Sequence, residues 1–229
     1  MSSGGISWAA VDDVMLEAIP ASIAGSASRP FVLWVKRAMD VVLALVGLVA
    51  LSPVFLAIAI AIKLTSRGPV LYVQPRLGRD FEVFNLIKFR TMVDGAHERA
   101  GDYAHLNEAS GPFFKIRDDP RLTPLGRRLR RHFLDELPQL WNVLVGEMSL
   151  VGPRPVLAEE LDYAPDPTWL PRFSVTQGIT GPWQTNGHHG ISFEEQVRVE
   201  LDYIAHWSLA RDLAILVRTV PLVLLRHGV

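Results

Sequence analysis

The chain of 229 residues contains no cysteine. This absence excludes disulfide bonds, thiolate nucleophiles and cysteine-ligated zinc, and it is typical of a reducing compartment. The chain also lacks an excess of either charge, because 23 Lys and Arg stand against 24 Asp and Glu, a formal net charge of −1. The overall charge therefore gives no indication of nucleic-acid binding. A chain of this length is expected to form one or two domains with a buried core.

The basic residues are nevertheless concentrated in one block. Between Lys115 and Arg131 there are seven of them and only two carboxylates, Asp118 and Asp119. Such a block attracts phosphates or an anionic membrane surface. A solvated helix face gives the same pattern, so the block alone does not identify a site.

Residues 1–30, which are rich in Ala, Ser and Gly, are predicted to form a flexible leader. The stretch lacks a basic start and carries Asp12, Asp13 and Glu17 where a secretory signal would have its apolar centre. We therefore do not expect a secretory signal.

A long apolar run follows the leader. The 22 residues from Val41 to Ile62 carry no charged side chain, which is long enough for a membrane helix at about 1.5 Å per residue. Ser52 and Pro53 fall at its centre, where Pro removes an amide donor and bends the helix. The Ser52 hydroxyl is expected to hydrogen-bond the backbone there.

The charges that flank this run are alike on both sides. Lys36 and Arg37 precede it, and Lys63 and Arg67 follow it. The positive-inside rule would place both ends on the cytoplasmic face, as in a helical hairpin that enters and leaves by the same leaflet. A kinked spanning helix is the competing interpretation, so residues 31–67 are predicted to be membrane-attached in either case.

Residues 68–229 are predicted to form a mostly helical α/β domain. "VLYVQ" and "FEVFNLIKF" are typical of a strand pair, and "SLVGPRPVL" and "ITGPWQTNG" are expected to be irregular loops. Helices are predicted near "GAHERAGDYAHL", in "TPLGRRLRRHF" and "DELPQLWNVLVGEM", and from Ser192 to about Trp207. The tail from Leu209 is predicted to be an interfacial helix, with a core helix as the alternative.

Two adjacent carboxylates, Asp135 and Glu136, precede a helix whose Pro138 is tolerable only in the first turn. One interpretation is structural: Asp135 caps the helix and Glu136 favours its positive end. The other is catalytic, because one carboxylate can hold Mg²⁺ while its neighbour attacks a phosphorus atom.

Three basic residues support the catalytic interpretation when they are taken together. Lys88, Arg90 and Arg154 lie at a strand end or in Gly- and Pro-flanked positions, from which side chains can reach a shared pocket. There they would neutralise phosphate oxygens. Each of them taken alone is more typical of a surface ion pair.

An ordered set of motifs resembles the bacterial sugar transferase family, the monotopic polyprenyl-phosphate phosphoglycosyl transferases. The resemblance covers about Phe31 to Leu225. It rests on these segments: Ser52-Pro53, "GPVLYVQPRLG" (68–78), "KFRTM" (88–92), "DPRLTPLGRRLRR" (119–131), "LDELPQLWNVLVGEMSLVGPRP" (134–155) and "GITGPWQTNG" (178–187). The chain is similar to the short form of the family.

The resemblance implies a re-entrant helix broken at Ser52-Pro53 and a small catalytic domain on the cytoplasmic face of the bacterial inner membrane. It implies transfer of a sugar 1-phosphate from a UDP-sugar to undecaprenyl phosphate, with release of UMP, as the first step of exopolysaccharide or capsule assembly. The bilayer, the donor and the lipid acceptor are then the expected partners, and nucleic acid is not.

The resemblance also assigns roles to residues. Asp135 is implied to be the nucleophile that forms a phosphosugar intermediate, and Glu136 is implied to bind Mg²⁺. The basic residues expected to handle phosphate are Lys88, Arg90 and Arg154. Arg76, Arg121 and Gln184 are further candidates for substrate binding.

Three positions depart from the family pattern. Phe81 stands where Gly is usual, Gln177 stands where Pro is usual, and His188 replaces an Arg. These departures affect the expected specificity more than the expected chemistry. The sequence does not identify the sugar or the oligomeric state. A non-catalytic membrane scaffold is the alternative function, and an electrostatic binder of anionic lipid or nucleic acid is a third.

Overall fold

The computed structural model describes most of the chain after the leader. The described residues are 30–96, 98–99, 101–108, 114, 116–161, 167–185 and 192–225. The predicted flexible leader lies outside them, apart from Pro30, and so does His188.

The described residues form eight α-helices and four strands. The helices are α1 (Pro30–Ala50), α2 (Ser52–Thr65), α3 (Pro124–Arg131), α4 (Gln139–Val145), α5 (Ala158–Leu161), α6 (Pro182–Thr185), α7 (Phe193–Ala205) and α8 (Leu209–Leu225). The strands are β1 (Leu71–Leu77), β2 (Val83–Phe89), β3 (Ser149–Val151) and β4 (Gly178–Thr180). Short 3₁₀ turns cover Arg79–Phe81, Gly101–Leu106, Leu134–Glu136 and Pro167–Ser174. The mostly helical α/β architecture is confirmed.

Helices α1 and α2 are joined at Leu51 and meet at an angle of 59°. Among the described residues no single helix is long and apolar enough to cross a membrane, although this bent pair together has the length and composition of a broken span or a re-entrant loop. Pro53 lies at the start of α2, and the Ser52 hydroxyl donates to the carbonyl of Val49 at 2.8 Å. The predicted break and its serine hydrogen bond are therefore confirmed.

Strands β1 and β2 form the antiparallel hairpin that the sequence predicts, with Tyr72 opposite Lys88 and Arg76 opposite Phe84. The connection between them needs left-handed backbone, since Asp80 has φ 52° and Phe81 has φ 61°. A bulky residue with such backbone angles is strained, and Phe81 is one of the three departures noted in the sequence. The Phe81 ring packs on Phe173, with ring centroids 4.5 Å apart, and this contact offsets part of the strain.

The expectation of two irregular loops was wrong in part. "SLV" and "GIT" pair as the parallel strands β3 and β4, and α6 follows within the second segment. The strands approach closely because two glycines face each other: a Cβ on Gly178 would lie 2.1 Å from the amide nitrogen of Gly152. Gln177, which replaces the usual Pro, is fully buried and donates from Nε2 to the carbonyl of Arg172 at 3.2 Å.

The predicted helices correspond to α3, α4, α7 and α8, whereas the segment near "GAHERAGDYAHL" contains a 3₁₀ turn instead of an α-helix. Helix α8, for which the sequence predicts an interfacial helix or a core helix, has features of both. Asp212 and Ile215 are buried against the domain, and Leu213, Val217 and Val220 are more than half exposed on the other side.

Helix α1 is attached to the rest of the protein by buried polar contacts. Lys36 Nζ lies 2.9 Å from Asp212 Oδ2 and 3.2 Å from Asp40 Oδ1. The other oxygen of Asp40 accepts from the Ser149 hydroxyl at 2.9 Å, at the start of β3. Asp212 in turn accepts from the Tyr203 hydroxyl at 2.6 Å. This group joins α1, β3, α7 and α8.

Arg37 makes a second attachment. Its Nη1 and Nη2 donate to the carbonyls of Val143 and Leu144 at 2.6 and 2.8 Å. These carbonyls belong to the last turn of α4, where a helix has unsatisfied acceptors and a negative dipole end. Lys36 and Arg37, which the sequence presents as membrane-flanking charges, therefore have specific partners inside the protein.

Candidate active site

The acid pair lies in a strained turn between α3 and α4. After His132 ends α3, Phe133 adopts a left-handed conformation with φ 54°, and the 3₁₀ turn Leu134–Glu136 follows. A bulky non-glycine residue in this region is rare and typical of functional sites. Helix α4 begins after Pro138 without a side-chain cap, so the interpretation of Asp135 as a helix cap is wrong.

Asp135 is almost completely buried, with 7% of the residue exposed. Burial, followed by the negative charge of Glu136, raises the pKa of Asp135 from 3.8 to about 6. The cations of Lys88 and Arg130 oppose this rise. Asp135 is therefore a carboxylate that loses its proton near neutral pH and is poorly solvated when ionised, a state that favours nucleophilic attack.

Glu136 points in a different direction and is more accessible. Its Oε1 lies 2.7 Å from Nζ of Lys88 on β2, and about a quarter of each side chain is exposed, 28% and 27% respectively. The hairpin thus brings a predicted phosphate-binding lysine to the acid pair. The two carboxylates have different surroundings, which is the arrangement expected when they have different roles.

Arg130 is a site residue that the sequence analysis did not single out from the basic block. It lies in the last turn of α3, its Nε donates to the Thr91 hydroxyl at 3.0 Å, and its charge lowers the pKa of Asp135. Helix α3 is close enough for this because of Gly126, where a Cβ would lie 1.8 Å from the carbonyl oxygen of Thr91. The sequence signal that could have singled out Arg130 is Gly126, four residues earlier, because a glycine permits this close approach of the helix.

Arg76 and Arg154 form a cationic group with Glu160 between them. Nη1 of Arg76 lies 3.8 Å from Glu160 Oε1, and Nη1 of Arg154 lies 3.7 Å from Oε2. Burial and the nearby charge of Arg154 lower the pKa of Arg76 to about 10, while Glu160 and Glu136 act in the opposite direction. Two partly buried guanidinium groups share one carboxylate, so the group as a whole is positively charged and suited to an anion such as a phosphate.

A buried ion pair contacts the backbone of Arg154. Nη2 of Arg172 lies 2.5 Å from Glu200 Oε2, and both side chains are 0% exposed. Arg172 also donates to the backbone carbonyl of Arg154 at 3.1 Å, and Glu200 Oε1 accepts from the amide of Arg154 at 3.0 Å. The pair fixes the backbone from which Arg154 extends, and no pattern in the sequence predicts it.

Two of the arginines predicted to bind substrate, Arg90 and Arg121, have partners within the protein. Nη2 of Arg90 donates to the hydroxyl and carbonyl of Ser66 at 2.8 and 3.1 Å, at the end of α2. Arg121 is buried in an ion pair with Asp119 at 2.7 Å and lies over the ring of Phe114 at 5.0 Å. Among the described contacts, neither arginine is joined to the acid pair.

Gln184 lies on α6 at the edge of a mostly apolar cavity of about 130 Å³ that also includes Glu136. Its Nε2 donates to the carbonyl of Ile179 at 3.2 Å, whereas its Oε1 is buried without a hydrogen-bond partner among the described residues. The structure therefore places Gln184 in the same cavity as Glu136, one member of the acid pair.

The residues present are compatible with Mg²⁺ carried by a substrate. Within the described ranges there is no cluster of three or more His, Asp or Glu side chains that could enclose a metal ion. Mg²⁺ usually takes only one or two carboxylates and completes its coordination with water and phosphate oxygens. Glu136, whose side chain is 28% exposed, offers one such carboxylate.

The fold and the site together define a small α/β protein whose buried carboxylate is surrounded by cations suited to anionic substrates. The chain belongs to the bacterial sugar transferase family, whose sequence model matches residues 31–226.

Several relatives resemble the chain over most of its length. The exopolysaccharide production protein ExoY of Sinorhizobium fredii is 38% identical over 197 residues, 84% of this chain and 87% of the relative. The UDP-glucose:undecaprenyl-phosphate glucose-1-phosphate transferase of Caulobacter vibrioides is 41% identical over 193 residues, 81% and 68% of the two chains. The undecaprenyl-phosphate galactose phosphotransferase of Salmonella typhimurium is 37% identical over 226 residues, 94% of this chain and 45% of that protein. The chain thus spans most of some relatives and less than half of others.

Proposed function

We propose that the protein transfers a sugar 1-phosphate from a UDP-sugar to undecaprenyl phosphate, releasing UMP and beginning the assembly of an exopolysaccharide or related glycan. The observation that carries this proposal is the buried Asp135, whose pKa is raised to about 6, next to Lys88, Arg130 and Glu136. The names of the relatives, which include both glucose and galactose transferases to undecaprenyl phosphate, support the substrate class.

In the first step, an oxygen of ionised Asp135 attacks the β-phosphorus of the UDP-sugar. A bond forms between the carboxylate oxygen and phosphorus, and the bond from phosphorus to the bridging oxygen breaks. UMP leaves with that oxygen, and the sugar phosphate remains attached to Asp135. Arg130, Arg76 and Arg154 offset the negative charge on the phosphate oxygens.

In the second step, a phosphate oxygen of the lipid acceptor attacks the same phosphorus atom. The bond between phosphorus and Asp135 breaks, which restores the carboxylate and gives the diphosphate-linked lipid sugar. Lys88 Nζ lies 2.7 Å from Glu136, so its positive charge is next to the acid pair. It can attract the anionic donor in the first step and the anionic lipid phosphate in the second.

Mg²⁺ is part of the proposal, with Glu136 as its protein ligand. When bound, the metal ion would withdraw electron density from the phosphate oxygens and neutralise charge on the diphosphate. Glu136 is the better placed of the two carboxylates, because its side chain is more accessible than the buried Asp135.

We further propose that α1 and α2 enter the bacterial inner membrane as a re-entrant hairpin, with the catalytic domain on the cytoplasmic face. The 59° bend, the charged groups at both ends and the many exposed apolar side chains between them support this arrangement. Trp34, Val46, Val49 and Leu56 are each more than half exposed and would face lipid acyl chains.

The test is release of UMP from a panel of UDP-sugars by the purified protein in nanodiscs containing undecaprenyl phosphate. Asp135→Asn should abolish UMP release while folding and membrane attachment remain. Asp118→Asn, which removes a carboxylate whose side chain is 82% exposed, should remain active as the control. Glu136→Gln should lower activity together with its dependence on Mg²⁺. Normal turnover by Asp135→Asn would contradict the assignment of the nucleophile, and a folded, membrane-bound wild type with no turnover of any donor would favour a scaffold.

A further inference from the structure

A cavity lies beside the acid pair, between the 3₁₀ turn Leu134–Glu136 and helix α8. It is lined by Phe133, Glu136, Leu137, Leu140, Ile179, Thr180, Gln184, Thr219, Leu222 and Val223. We infer that this cavity holds the first isoprene unit of the lipid acceptor, the part of the chain that is attached to the phosphate. The inference rests on the proposed function and adds to it the place where the acceptor chain binds.

The chemistry of the lining favours a hydrocarbon. Six of the ten residues are apolar, and the hydroxyls of Thr180 and Thr219 hydrogen-bond each other at 2.8 Å. Glu136 and Gln184 are the other two polar residues of the lining, so a sugar or a uridine would leave most of its polar groups without partners there, which is unfavourable. A branched, apolar isoprene unit has no such groups.

The size also agrees with one isoprene unit. The cavity has a volume of about 130 Å³. An apolar protein cavity of about 150 Å³ is known to accept benzene, a ring of six carbons. An isoprene unit has five carbons, so the cavity is of the size of one such unit.

The position of the cavity connects the acid pair with the apolar hairpin. At one end lies Glu136, next to the nucleophile Asp135. On another wall, Leu140 packs closely against α1, since a Cβ on Gly47 would lie 3.1 Å from Leu140 Cδ1. A lipid whose phosphate reaches Asp135 therefore has its first carbons at this cavity and its remaining chain on the side of the hairpin.

Two substitutions that fill the cavity provide the kinetic test, both made in the full chain in nanodiscs. Leu222→Trp and Val223→Phe add volume at its wall, and Val220→Trp adds the same indole on the exposed side of α8, where Val220 is 57% exposed. The filling variants should raise the KM for undecaprenyl phosphate about tenfold, equivalent to about 1.4 kcal/mol. The Val220→Trp control should stay within about twofold of the wild type, well below the tenfold step.

The donor side is measured separately, by exchange of labelled UMP into the UDP-sugar in the absence of any lipid acceptor. Exchange by the filling variants should match the wild type, because the donor phosphates bind at the basic groups and not in the cavity. If the wild type itself shows no exchange, the covalent intermediate of the proposed function is rejected. That result does not concern where the lipid binds, which the KM for the acceptor measures.

A direct probe does not depend on turnover. Farnesyl phosphate with a photoreactive diazirine on its first isoprene unit should label Leu137, Leu140 or Leu222, as read by mass spectrometry, and undecaprenyl phosphate should compete with it. Labelling confined to the outer side of α8, at Val217 or Val220, would overturn the inference. So would equal competition by phosphatidylglycerol vesicles, or an unchanged KM for the acceptor in both filling variants.

Discussion

Replacing Asp135 with Asn is expected to stabilise the fold while it removes activity. The pKa of Asp135 is raised from 3.8 to about 6, first by burial and then by the charge of Glu136. The folded protein therefore binds the proton more tightly than the unfolded chain does. The stability that accompanies protonation is fully present below about pH 4 and is lost as the pH rises through about 6. Ionised Asp135 is thus destabilising at neutral pH.

The magnitude follows from the two pKa values. A rise from 3.8 to about 6 corresponds to about 3 kcal/mol of unfavourable free energy for the ionised group. Asn has the same shape without the charge, so Asp135→Asn should recover most of this amount at pH 8 and little at pH 4. In a protein of this size, about 3 kcal/mol raises the melting temperature by roughly 6–12 °C.

The assay is thermal unfolding in one detergent, followed by circular dichroism between pH 4 and pH 8, for the wild type and Asp135→Asn in parallel. Their difference in melting temperature should grow between pH 4 and pH 6 and then level off. Asp118→Asn should show no comparable growth, because exposed ion pairs contribute little. A constant difference across this range, or a larger one at pH 4 than at pH 8, would refute the reasoning.

Two further substitutions test how the site is supported. Arg37→Met removes both hydrogen bonds from the end of α4 and should lower stability, measured by thermal unfolding, by about 3 kcal/mol. Arg67→Met, at an exposed position, is the control and should change stability by less than about 0.5 kcal/mol. Equal effects of the two substitutions would contradict the role of Arg37. Gly126→Ala forces α3 away from the carbonyl of Thr91 and should lower UMP release at least tenfold, since Arg130 moves with the helix. Gly101→Ala, which meets no atom within 4 Å, is its control, and full activity of Gly126→Ala would show that Arg130 can be displaced without consequence.

Local patterns in the sequence predicted the elements that are built from neighbouring residues. The hairpin β1–β2, the break beside Pro53 and the helices α3, α4 and α7 each follow from periodicity, β-branched runs or proline chemistry. The pairing of β3 with β4 could not be predicted in this way. Each strand has only three residues, and what holds them is the close approach at Gly152 and Gly178 between distant parts of the chain.

The same division applies to the site. Asp135, Glu136 and Lys88 were identified in advance and are close together in the structure. Arg121, a predicted substrate-binding residue, is paired with the buried carboxylate of Asp119 two positions before it. Sequence motifs show which charged residues are present, but whether an arginine faces a substrate or a neighbouring carboxylate depends on packing.

The buried contacts of α1 have a consequence for the order in which the protein is assembled. The ribosome delivers Lys36 and Arg37 long before Asp212 and the end of α4, so the hairpin is available as a surface on which the later domain can fold. A shortened protein that begins at residue 68 would leave Asp212 without its lysine and α4 without its terminal arginine. Removing one partner of a buried ion pair typically costs about 3–5 kcal/mol, a large part of the stability of a single domain. The α1–α2 hairpin is therefore a structural part of the domain that carries the acid pair, and the two are expected to be lost together when either is cut away.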